Sequence, residues 1–379
     1  MILADYGADV IKIETPHTGD DTRAWGPPFA STPAPHPAPS AYFLAANRNK
    51  RSVTVNLKHE AGRRIVRRLA ESADVLIENF VPGKLDKWGL GYEQLKETNE
   101  RLVYASITGY GPTGPYATRP GYDVIIEAEA GLMHITGEAD RPPVKVGVAI
   151  TDLTTGLYTH GAVMAALLSR SRTGRGQKID ISLLECQVAS LVNIASSYLI
   201  AGKEATRWGT QHPSIVPYQS FRTRDAYIVV GAGNDGQFRK LAERLGDRCP
   251  ALNEPRFATN EGRVKHRDEV LSALEAMFEQ KTTKEWLDVL DGLEIPFAPV
   301  NNLQQTFEHP QVKHREMVQE VEHPHAGKIK LVAIPVKFSE TQPTITRAPP
   351  TLGQHTREVL LETGYSDEDI DAFVKDGVV

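Results

Sequence analysis

The stretch 61-AGRRIVRRLAESADVLI-77 decides the fold class of the chain. Its first part places apolar residues at helical spacing, and its last part, 74–77, is a short apolar run typical of a buried strand. The same succession recurs at 92–98, a short helix, and 102–107, a strand. Strands that alternate with helices pair in parallel. The sequence therefore predicts an α/β domain whose parallel sheet is covered on both faces.

The neighbouring segments extend this pattern. Residues 1–14 predict the end of a helix, a stop at Gly7 and then a buried strand. The Pro- and Ser-rich segment 31–40 predicts an exposed loop. Further along, the pattern predicts helices at 122–134 and 153–171, a strand at 178–183 and one long apolar helix at 185–200.

The pattern changes at Pro217 and indicates a second, smaller α+β domain. It predicts a hairpin of strands at 218–222 and 226–230, helices at 235–245, 267–279 and 283–291, and strands at 297–300 and 328–332. The segments 354–364 and 367–376 predict amphipathic helices that are too short to be stable alone, so we expect them to pack on the first domain. The predicted domains are 1–201 (large α/β), 217–310 (small α+β) and 311–379 (return linker and C-terminal helices).

Composition excludes several classes of protein. The 379 residues include 43 Lys and Arg against 48 Asp and Glu, a net charge of −5, which argues against a nucleic-acid partner. Two cysteines, Cys186 and Cys249, exclude a disulfide framework and a Cys-rich zinc site, and suit a reducing compartment. No apolar stretch is long enough to predict a membrane span.

Two patterns resemble cofactor or metal sites. Residues 231-GAGNDG-236 follow a predicted strand and fit the dinucleotide motif GxGxxG. The acidic strand end expected about 20 residues later is not found, so we favour a strand-to-helix turn that needs glycine. The histidines at 309, 314, 323 and 325 lack the spacing that places two ligands on one helix face, so no metal site is predicted.

The stretch 146-VGVAITDLTTGLYTHGAVMAAL-167 carries the main chemical signal. Asp152 stands at the predicted start of a long helix rich in small residues. One interpretation is an N-cap that only starts the helix. The other is a carboxylate kept ionised by the helix dipole and used as a nucleophile on an activated carbonyl, with the helix-start amides holding the oxyanion.

Motifs that occur in order along almost the whole chain favour the interpretation of Asp152 as a nucleophile. They are 4-ADYGADVIKIE-14, 47-NRNKRS-52, 78-ENFVPG-83, 106-SITGYG-111, 121-GYD-123, Asp152 with Gly156, 173-TGRGQ-177 and 352-LGQH-355. In this order they resemble the class III CoA-transferases, the family of formyl-CoA transferase and carnitine CoA-transferase. The stretches 19-GDDTRAWGPPF-29 and 207-RWGTQH-212 resemble the branch that acts on succinate and hydroxymethylglutarate.

The resemblance implies a fold and a reaction. The implied fold is a Rossmann-like large domain and a smaller domain, with the C-terminal helices returning to the large one, in an interlocked homodimer. Asp152 is expected to form an anhydride with the acyl group of an acyl-CoA, such as succinyl-CoA, and then an aspartyl-CoA thioester. The expected acceptor is a dicarboxylate, glutarate or hydroxymethylglutarate. CoA thioesters are substrates, and no permanently bound cofactor is implied.

The resemblance also implies site residues. Those expected to bind CoA are Lys58, Asn79, Phe80, Lys87 and Gly109. Those expected to line the acceptor site are Tyr42, Tyr110, Gly209 and His212. A dicarboxylate also needs a cation for its distal charge, for which Arg23, Arg119 and Arg207 are candidates. We expect the first strand of the family fold and its CoA-contacting loop to precede Met1. The implied location is the mitochondrial matrix, or otherwise the cytoplasm.

Two other functions remain open at this point. An acyl-CoA racemase of the same fold uses a histidine for the α-proton, and that histidine would fall in 121-GYD-123, where Tyr122 is a poor proton acceptor at neutral pH. The other alternative is a non-catalytic relative that binds CoA.

Overall fold

A computed structural model describes residues 1–31 and 38–379. These residues form two compact units. The first comprises Met1–Ile126, Ala149–Ser190 and Phe307–Val379, and the second comprises Glu127–Val148 and Leu191–Thr306. This division differs from the sequence-based domains, which assigned 127–148 and 191–201 to the large domain. Most of the predicted loop at 31–40 lies outside the described residues.

The strands are β1 (Val10–Glu14), β2 (Lys50–Thr54), β3 (Val75–Glu78), β4 (Val103–Thr108), β5 (Lys178–Ser182), β6 (Tyr218–Arg222), β7 (Tyr227–Gly231), β8 (Phe297–Pro299), β9 (Val318–His323) and β10 (Gly327–Val332). The helices are α1 (Ile2–Asp5), α2 (Ala41–Ala46), α3 (Glu60–Ser72), α4 (Lys84–Lys87), α5 (Tyr92–Leu95), α6 (Asp123–Glu129), α7 (Leu132–Ile135), α8 (Ile150–Thr173), α9 (Leu183–Ala189), α10 (Val192–Ala201), α11 (Asp235–Leu245), α12 (Asn260–Lys265), α13 (Arg267–Phe278), α14 (Thr283–Leu290), α15 (Leu303–Glu308), α16 (Pro310–His314), α17 (Thr356–Glu362) and α18 (Asp367–Lys375). Short 3₁₀ helices lie at Asp21–Ala24, Gly246–Arg248, Pro250–Asn253 and Pro255–Phe257.

Strands of the first unit pair in parallel, as the alternating pattern predicts, but they form two separate parallel sheets where the pattern predicts one. One pairs β1 with β2, and the other has the order β3-β4-β5. Strand β2 is a strand that the sequence pattern does not reveal, because its buried positions include Arg51 and Ser52 beside Val53. Arg51 is tolerated there because its guanidinium pairs with Asp9 of the β1 segment and with Glu358 and Glu362 of α17.

Two apolar clusters hold the helices on these sheets. Val163 of α8 packs against Ala105 of β4 and Ile181 of β5, so the long helix lies on the three-stranded sheet. The C-terminal helices close the other sheet: Val359, Leu360 and Ile370 share a buried cluster with Val53 of β2 and Ile65 of α3. The predicted return of these helices to the first unit is thus observed.

The second unit is built on the antiparallel sheet β6-β7-β8. Its core contains Trp286, which is fully buried and whose Nε1 donates to the carbonyl of Phe278 at 2.7 Å. The segment 231–236 runs from the last residue of β7 through a short turn into the first residues of α11. There the Asn234 side chain caps the helix by accepting from the amide of Gln237 at 2.9 Å.

The helix predicted at 185–200 is two helices, α9 and α10. Helix α9 ends at Ala189, and the Ser190 hydroxyl donates to the carbonyl of Cys186 at 2.6 Å, at the end of that helix. Val192 then has φ +43°, in the left-handed region that β-branched residues avoid, so the backbone cannot continue straight. Within the described residues no single helix is long and apolar enough to cross a membrane, and α9 with α10 meets that criterion only as a bent pair.

Candidate active site

Asp152 lies in the first turn of α8 and not at its N-cap. The helix begins at Ile150, and its N-cap is Ala149, which has no side chain able to cap. The interpretation of Asp152 as the N-cap is therefore wrong. The cap comes from another segment: Oδ1 of Asp123, at the start of α6, accepts from the amides of Thr151 at 2.8 Å and Asp152 at 3.1 Å.

This capping arrangement also corrects the expected oxyanion site. The free amides at a helix start can hold an anion only while they have no other acceptor. The amides of Thr151 and Asp152 already donate to the Asp123 carboxylate, so they are not available to a developing oxyanion.

A buried row of threonines fixes the rotation of α8. Thr151, Thr155 and Thr159 recur at four-residue spacing on the face that packs inward, and all three are buried. The hydroxyls of Thr155 and Thr159 each donate to the carbonyl four residues earlier at 2.8 Å, which satisfies them inside the protein. The Thr151 hydroxyl instead donates to Oε1 of Gln187 on α9 at 2.7 Å. Asp152, one residue further on, therefore projects from the exposed side of the helix.

The Asp152 carboxyl is more basic than an ordinary aspartate. Desolvation by surrounding protein atoms, and secondly the negative charge of Asp123, raise its pKa. Part of the side chain is exposed. The group thus combines access from solvent with a raised pKa, which is the combination expected of a carboxylate nucleophile.

Tyr42 lies close to this carboxylate pair. Burial raises the pKa of its phenol, and the charges of Asp152 and Asp123 raise it further, so the hydroxyl is neutral at physiological pH. Trp25 packs edge-on against Tyr42 with ring centroids 5.1 Å apart, and both rings are about half exposed. This aromatic pair, Trp25 and Tyr42, presents exposed ring surface, and the charge of Asp152 acts on Tyr42.

The loop after β4 brings Gly109 and Tyr110 toward Asp123. A Cβ at position 109 would lie 2.8 Å from Cα of Gly121, so only glycine allows the two backbones to approach this closely. Tyr110 is buried and packs edge-on against Tyr116. The guanidinium of Arg119 lies over both rings, 5.2 Å and 4.6 Å from their centroids.

The residues expected to bind CoA follow the carboxyl ends of strands. Asn79 and Phe80 come directly after β3, and Gly109 comes directly after its parallel neighbour β4, at the same edge of the sheet. This edge is where α/β sheets bind ligands. Lys58 is exposed in the turn after β2, and Lys87 is exposed at the end of α4.

Lys84, on α4, is a cation that the sequence analysis does not single out at this edge. Its Nζ lies 4.9 Å from the ring centroid of Phe80 and 5.2 Å from that of Trp88. Phe80 and Trp88 pack edge-on, 6.0 Å apart. A cation beside two aromatic rings suits a negatively charged ligand with an aromatic base.

The remaining two acceptor-site predictions, Gly209 and His212, belong to the second unit. Gly209 has φ +57°, a backbone conformation that favours glycine. His212 packs edge-on against Tyr218, and its Nδ1 accepts from the amide of Ser214 at 3.1 Å. In the neutral ring Nε2 therefore carries the proton.

Each of the three candidate arginines has contacts of its own in the structure. Arg23 donates to both carboxylate oxygens of Glu14 at 2.8 Å and 2.7 Å and lies 3.8 Å over the ring of Phe43. In the second unit, Arg207 donates to the carbonyls of His134 and Glu138. Arg119 is the candidate that shares a loop with a predicted acceptor residue, Tyr110.

Sequence reasoning misses the roles of Asp123, Gln187 and Trp25. Asp123 and Gln187 form hydrogen bonds to the first turn of α8 from distant positions of the chain, so no spacing rule predicts these contacts. For Asp123, the quoted motif 121-GYD-123 is a signal that could have indicated it. Trp25 stands in the quoted motif 19-GDDTRAWGPPF-29, which is the one signal that could have indicated it. Among the described residues no group of three or more His, Cys, Asp or Glu side chains is arranged to hold a metal ion.

Comparison with known proteins places this geometry in a family. The sequence model of CoA-transferase family III matches residues 1–356. The chain is 48% identical to human succinyl-CoA:glutarate CoA-transferase over 380 aligned positions, which cover all of this chain and 85% of the relative. It is 44% identical to succinate–glutarate CoA-transferase of Agrobacterium fabrum, covering 96% of this chain and 90% of the relative. The crystal structure of a CAIB/BAIF family protein from Brucella suis superposes with a TM-score of 0.85 at 44% identity, over 95% of this chain and 93% of that one.

Proposed function

The chain belongs to CoA-transferase family III, and we propose that it transfers CoA from succinyl-CoA to glutarate. The proposal is supported by the relatives named for this reaction in human and Agrobacterium fabrum, since the chain matches them along nearly its full length. The observation that carries it within the structure is Asp152, an accessible carboxylate with a raised pKa in the first turn of α8. Hydroxymethylglutarate, a similar dicarboxylate, is the second acceptor to test.

We propose that Asp152 is the covalent nucleophile. Its carboxylate attacks the thioester carbonyl of succinyl-CoA, which forms a succinyl-aspartyl anhydride and releases the CoA thiolate. The thiolate attacks the aspartyl carbonyl of that anhydride, which gives an aspartyl-CoA thioester and free succinate. A glutarate carboxylate then attacks the thioester, forms a glutaryl-aspartyl anhydride and again releases thiolate. Attack of the thiolate on the glutaryl carbonyl gives glutaryl-CoA and restores Asp152.

This sequence of steps needs no external energy source, because each step exchanges one activated acyl group for another. The demands on the protein are an ionised carboxylate of raised basicity and a surface that keeps water from the anhydrides. Asp152 meets the first demand through its environment. The aromatic pair Trp25 and Tyr42 supplies apolar surface for the second.

The CoA moiety is proposed to lie along the sheet edge after β3 and β4. Lys58 and Lys87 supply cations for its phosphates, and Phe80 with Asn79 receives its base. Lys84, over the ring of Phe80, adds a charge at the same place. Gly109, directly after β4 and against the Gly121 backbone, is proposed to lie beside the thioester.

Within the first unit, the acceptor is proposed to contact the aromatic pair and Tyr110. Gly209 and His212 of the second unit remain acceptor-site residues that the family resemblance implies. Arg119 is proposed to bind the distal carboxylate, because a guanidinium can pair with a carboxylate through two hydrogen bonds. Its support is its place on the loop that joins Tyr110 to Asp123.

A homodimer is proposed as the functional assembly. Helix α8 exposes Leu153 and Leu157, each more than half exposed, next to Asp152, and α10 exposes Leu199 and Ile200. Large apolar side chains grouped on helix surfaces are typical of an interface. The proposed mitochondrial location rests on the family resemblance alone. Its test is fractionation of source cells with detection of the full-length protein.

The test of the function is a transfer assay with succinyl-CoA and a panel of glutarate, hydroxymethylglutarate, oxalate and carnitine, with the new acyl-CoA detected by mass spectrometry. The proposal expects glutaryl-CoA from the wild type and none from Asp152→Ala. The matched control is Asp180→Asn, because the pKa of Asp180 on β5 is also raised, by burial and by Glu185, but it lies outside the proposed site. Transfer of CoA by Asp152→Ala, or no transfer of CoA by the wild type to any dicarboxylate, would contradict the proposal.

A further inference from the structure

Asp123 supplies the cap that α8 lacks. Its Oδ1 accepts the amide hydrogens of Thr151 at 2.8 Å and Asp152 at 3.1 Å, although 29 residues separate it from Asp152 in the chain. The side chain is half-buried, and the N-cap residue, Ala149, makes no side-chain hydrogen bond. The start of the helix therefore depends on a carboxylate brought in by α6.

The first turn of α8 is held from a second side by α9. The Thr151 hydroxyl donates to Gln187 at 2.7 Å, and both residues are buried. Three hydrogen bonds to side chains of two different elements thus hold the turn that carries Asp152. A nucleophile reacts only from a narrow range of positions, so the fixing of this turn bears directly on rate.

The carboxylate of Asp123 also affects the pKa of Asp152. A carboxylate in the first turn of a helix ordinarily gains from the helix dipole and from free amides, which lower its pKa. Here Asp123 takes the amides and adds a negative charge, and after desolvation it is the second cause that raises the pKa of Asp152.

Other titratable groups lie on α8 and on the elements near it. Tyr42 faces the pair with a neutral phenol. Along α8 itself, the ring of His160 packs on Tyr6, and Arg170 pairs with Asp74. On the adjacent α9 and β5, Glu185 accepts from the Ser182 hydroxyl, and Asp180 lies on the strand. Of the groups named here, Asp123 is the one whose carboxylate hydrogen-bonds to the first turn of α8.

We propose that Asp123 is the positioning residue of the transferase: it holds the first turn of α8 so that the Asp152 carboxylate meets the acyl carbonyl, and its charge keeps that carboxylate a stronger nucleophile than an ordinary aspartate. The role rests on the proposed function, in which Asp152 attacks the thioester. Asp123 touches neither substrate nor the reacting atoms in this role.

Two substitutions separate geometry from charge. Asp123→Asn keeps an oxygen that can accept from the two amides but removes the negative charge. Asp123→Ala removes both. The control is Ser366→Ala, which removes the cap of α18, a helix remote in sequence whose Ser366 accepts from the amide of Asp369 at 3.2 Å.

Transfer from succinyl-CoA to glutarate is measured from acid to neutral pH for each protein. For Asp123→Asn the acid limb of kcat/KM moves to lower pH, and kcat at the plateau falls only a few-fold, because a less basic carboxylate remains in place. For Asp123→Ala kcat falls by roughly 10- to 100-fold, with little change in KM for succinyl-CoA. Ser366→Ala lowers the melting temperature and leaves the pH profile unchanged.

A second measurement does not depend on activity. Thermal stability is compared in the cycle of wild type, Asp123→Asn, Asp152→Asn and the double variant, at neutral pH and at a pH low enough to protonate both carboxylates. Two facing carboxylates destabilise each other only when both are ionised, so the cycle shows a coupling at neutral pH that disappears in acid. This result stands even if the wild type transfers CoA to none of the acceptors tested.

Two outcomes would overturn the proposal. One is an unchanged acid limb and an unchanged kcat in both Asp123 variants, with a loss of stability alone, which would make Asp123 a structural cap. The other is no coupling between positions 123 and 152 at neutral pH. If Asp123→Ala does not fold, the Asp123→Asn profile and the stability cycle decide by themselves.

Discussion

Replacement of Arg23 by alanine tests whether this arginine is structural or binds the acceptor. Its guanidinium makes a two-pronged ion pair with Glu14, at 2.8 Å and 2.7 Å, and lies over the ring of Phe43. The Glu14 side chain is 1% exposed and that of Arg23 is 17% exposed. Arg23→Ala would therefore leave a buried carboxylate without its partner.

The size of the effect follows from this burial. Removal of one partner from a buried ion pair costs about 3–5 kcal/mol. In a unit of this size each kcal/mol lowers the melting temperature by about 2–4 °C, so we expect a drop of roughly 6–20 °C. The double variant Arg23→Met with Glu14→Gln recovers much of that loss, because no unpaired charge remains.

The pH dependence has a definite sign. Burial raises the pKa of Glu14, but hydrogen bonds from Arg23 and Ser52 and the charge of Arg23 lower it more, so the net pKa lies below its usual value. The stability that Glu14 contributes is complete above its unfolded pKa and is lost as pH falls through the lower native pKa. Arg23→Ala abolishes this loss on acidification.

The assay is a set of thermal melts across pH, with glutarate KM measured in parallel for Arg23→Lys. Lysine keeps the charge but cannot form the two-pronged pair, so we expect a partial loss of stability and little change in KM. The control is Arg357→Ala, since Arg357 also holds two carboxylates, of Asp367 and Asp371, but at an exposed site where we expect almost no change. A large rise in glutarate KM with unchanged melting would refute the structural role.

Three further predictions concern the CoA edge, the Gly109 loop and the stability of Asp152. Lys58→Ala and Lys87→Ala each raise KM for succinyl-CoA by about two- to fivefold with kcat unchanged, because an exposed ion pair is worth up to about 1 kcal/mol. Steady-state kinetics check this, with Lys375→Ala as the control. A decrease in kcat without a change in KM would contradict it. Gly109→Ala destabilises the protein by about 1–3 kcal/mol, because its Cβ would meet the Gly121 backbone at 2.8 Å. An unchanged midpoint of denaturant unfolding would contradict this, since it would show that the loop accommodates the methyl group without loss of stability. Asp152→Asn raises the melting temperature at neutral pH. The pKa of Asp152 is higher in the native than in the unfolded protein, so the protein loses stability as pH rises from the unfolded pKa through the native pKa, and asparagine avoids this loss. An equal change in melting temperature in acid and at neutral pH would refute this explanation.

The α/β architecture and the position of α8 could be predicted because they depend on local patterns. Periodicity predicts α3, β3, β4 and α8, and residues that follow strand ends, such as Asn79 and Gly109, lie at one edge of a parallel sheet by topology alone. The hairpin of β6 and β7 likewise follows from two apolar runs and a short turn.

Features that depend on tertiary contacts could not be predicted. Strand β2 contains a buried arginine, which is stable only because Asp9, Glu358 and Glu362 converge on Arg51 from distant parts of the chain. Asp152 shows no local sign that its helix is capped from α6. The break between α9 and α10 lies in an apolar run whose composition favours a continuous helix, and only the backbone at Val192 reveals it.

The most direct test of the central claim is whether Asp152 carries CoA. Wild-type protein is incubated with succinyl-CoA in the absence of acceptor, and intact-mass spectrometry is followed by peptide mapping and by hydroxylamine treatment. The account predicts a gain equal to CoA less one water, located on Asp152, removed by glutarate and absent from Asp152→Asn. A transferase that turns over without this adduct, or that carries it on another residue, would contradict the account.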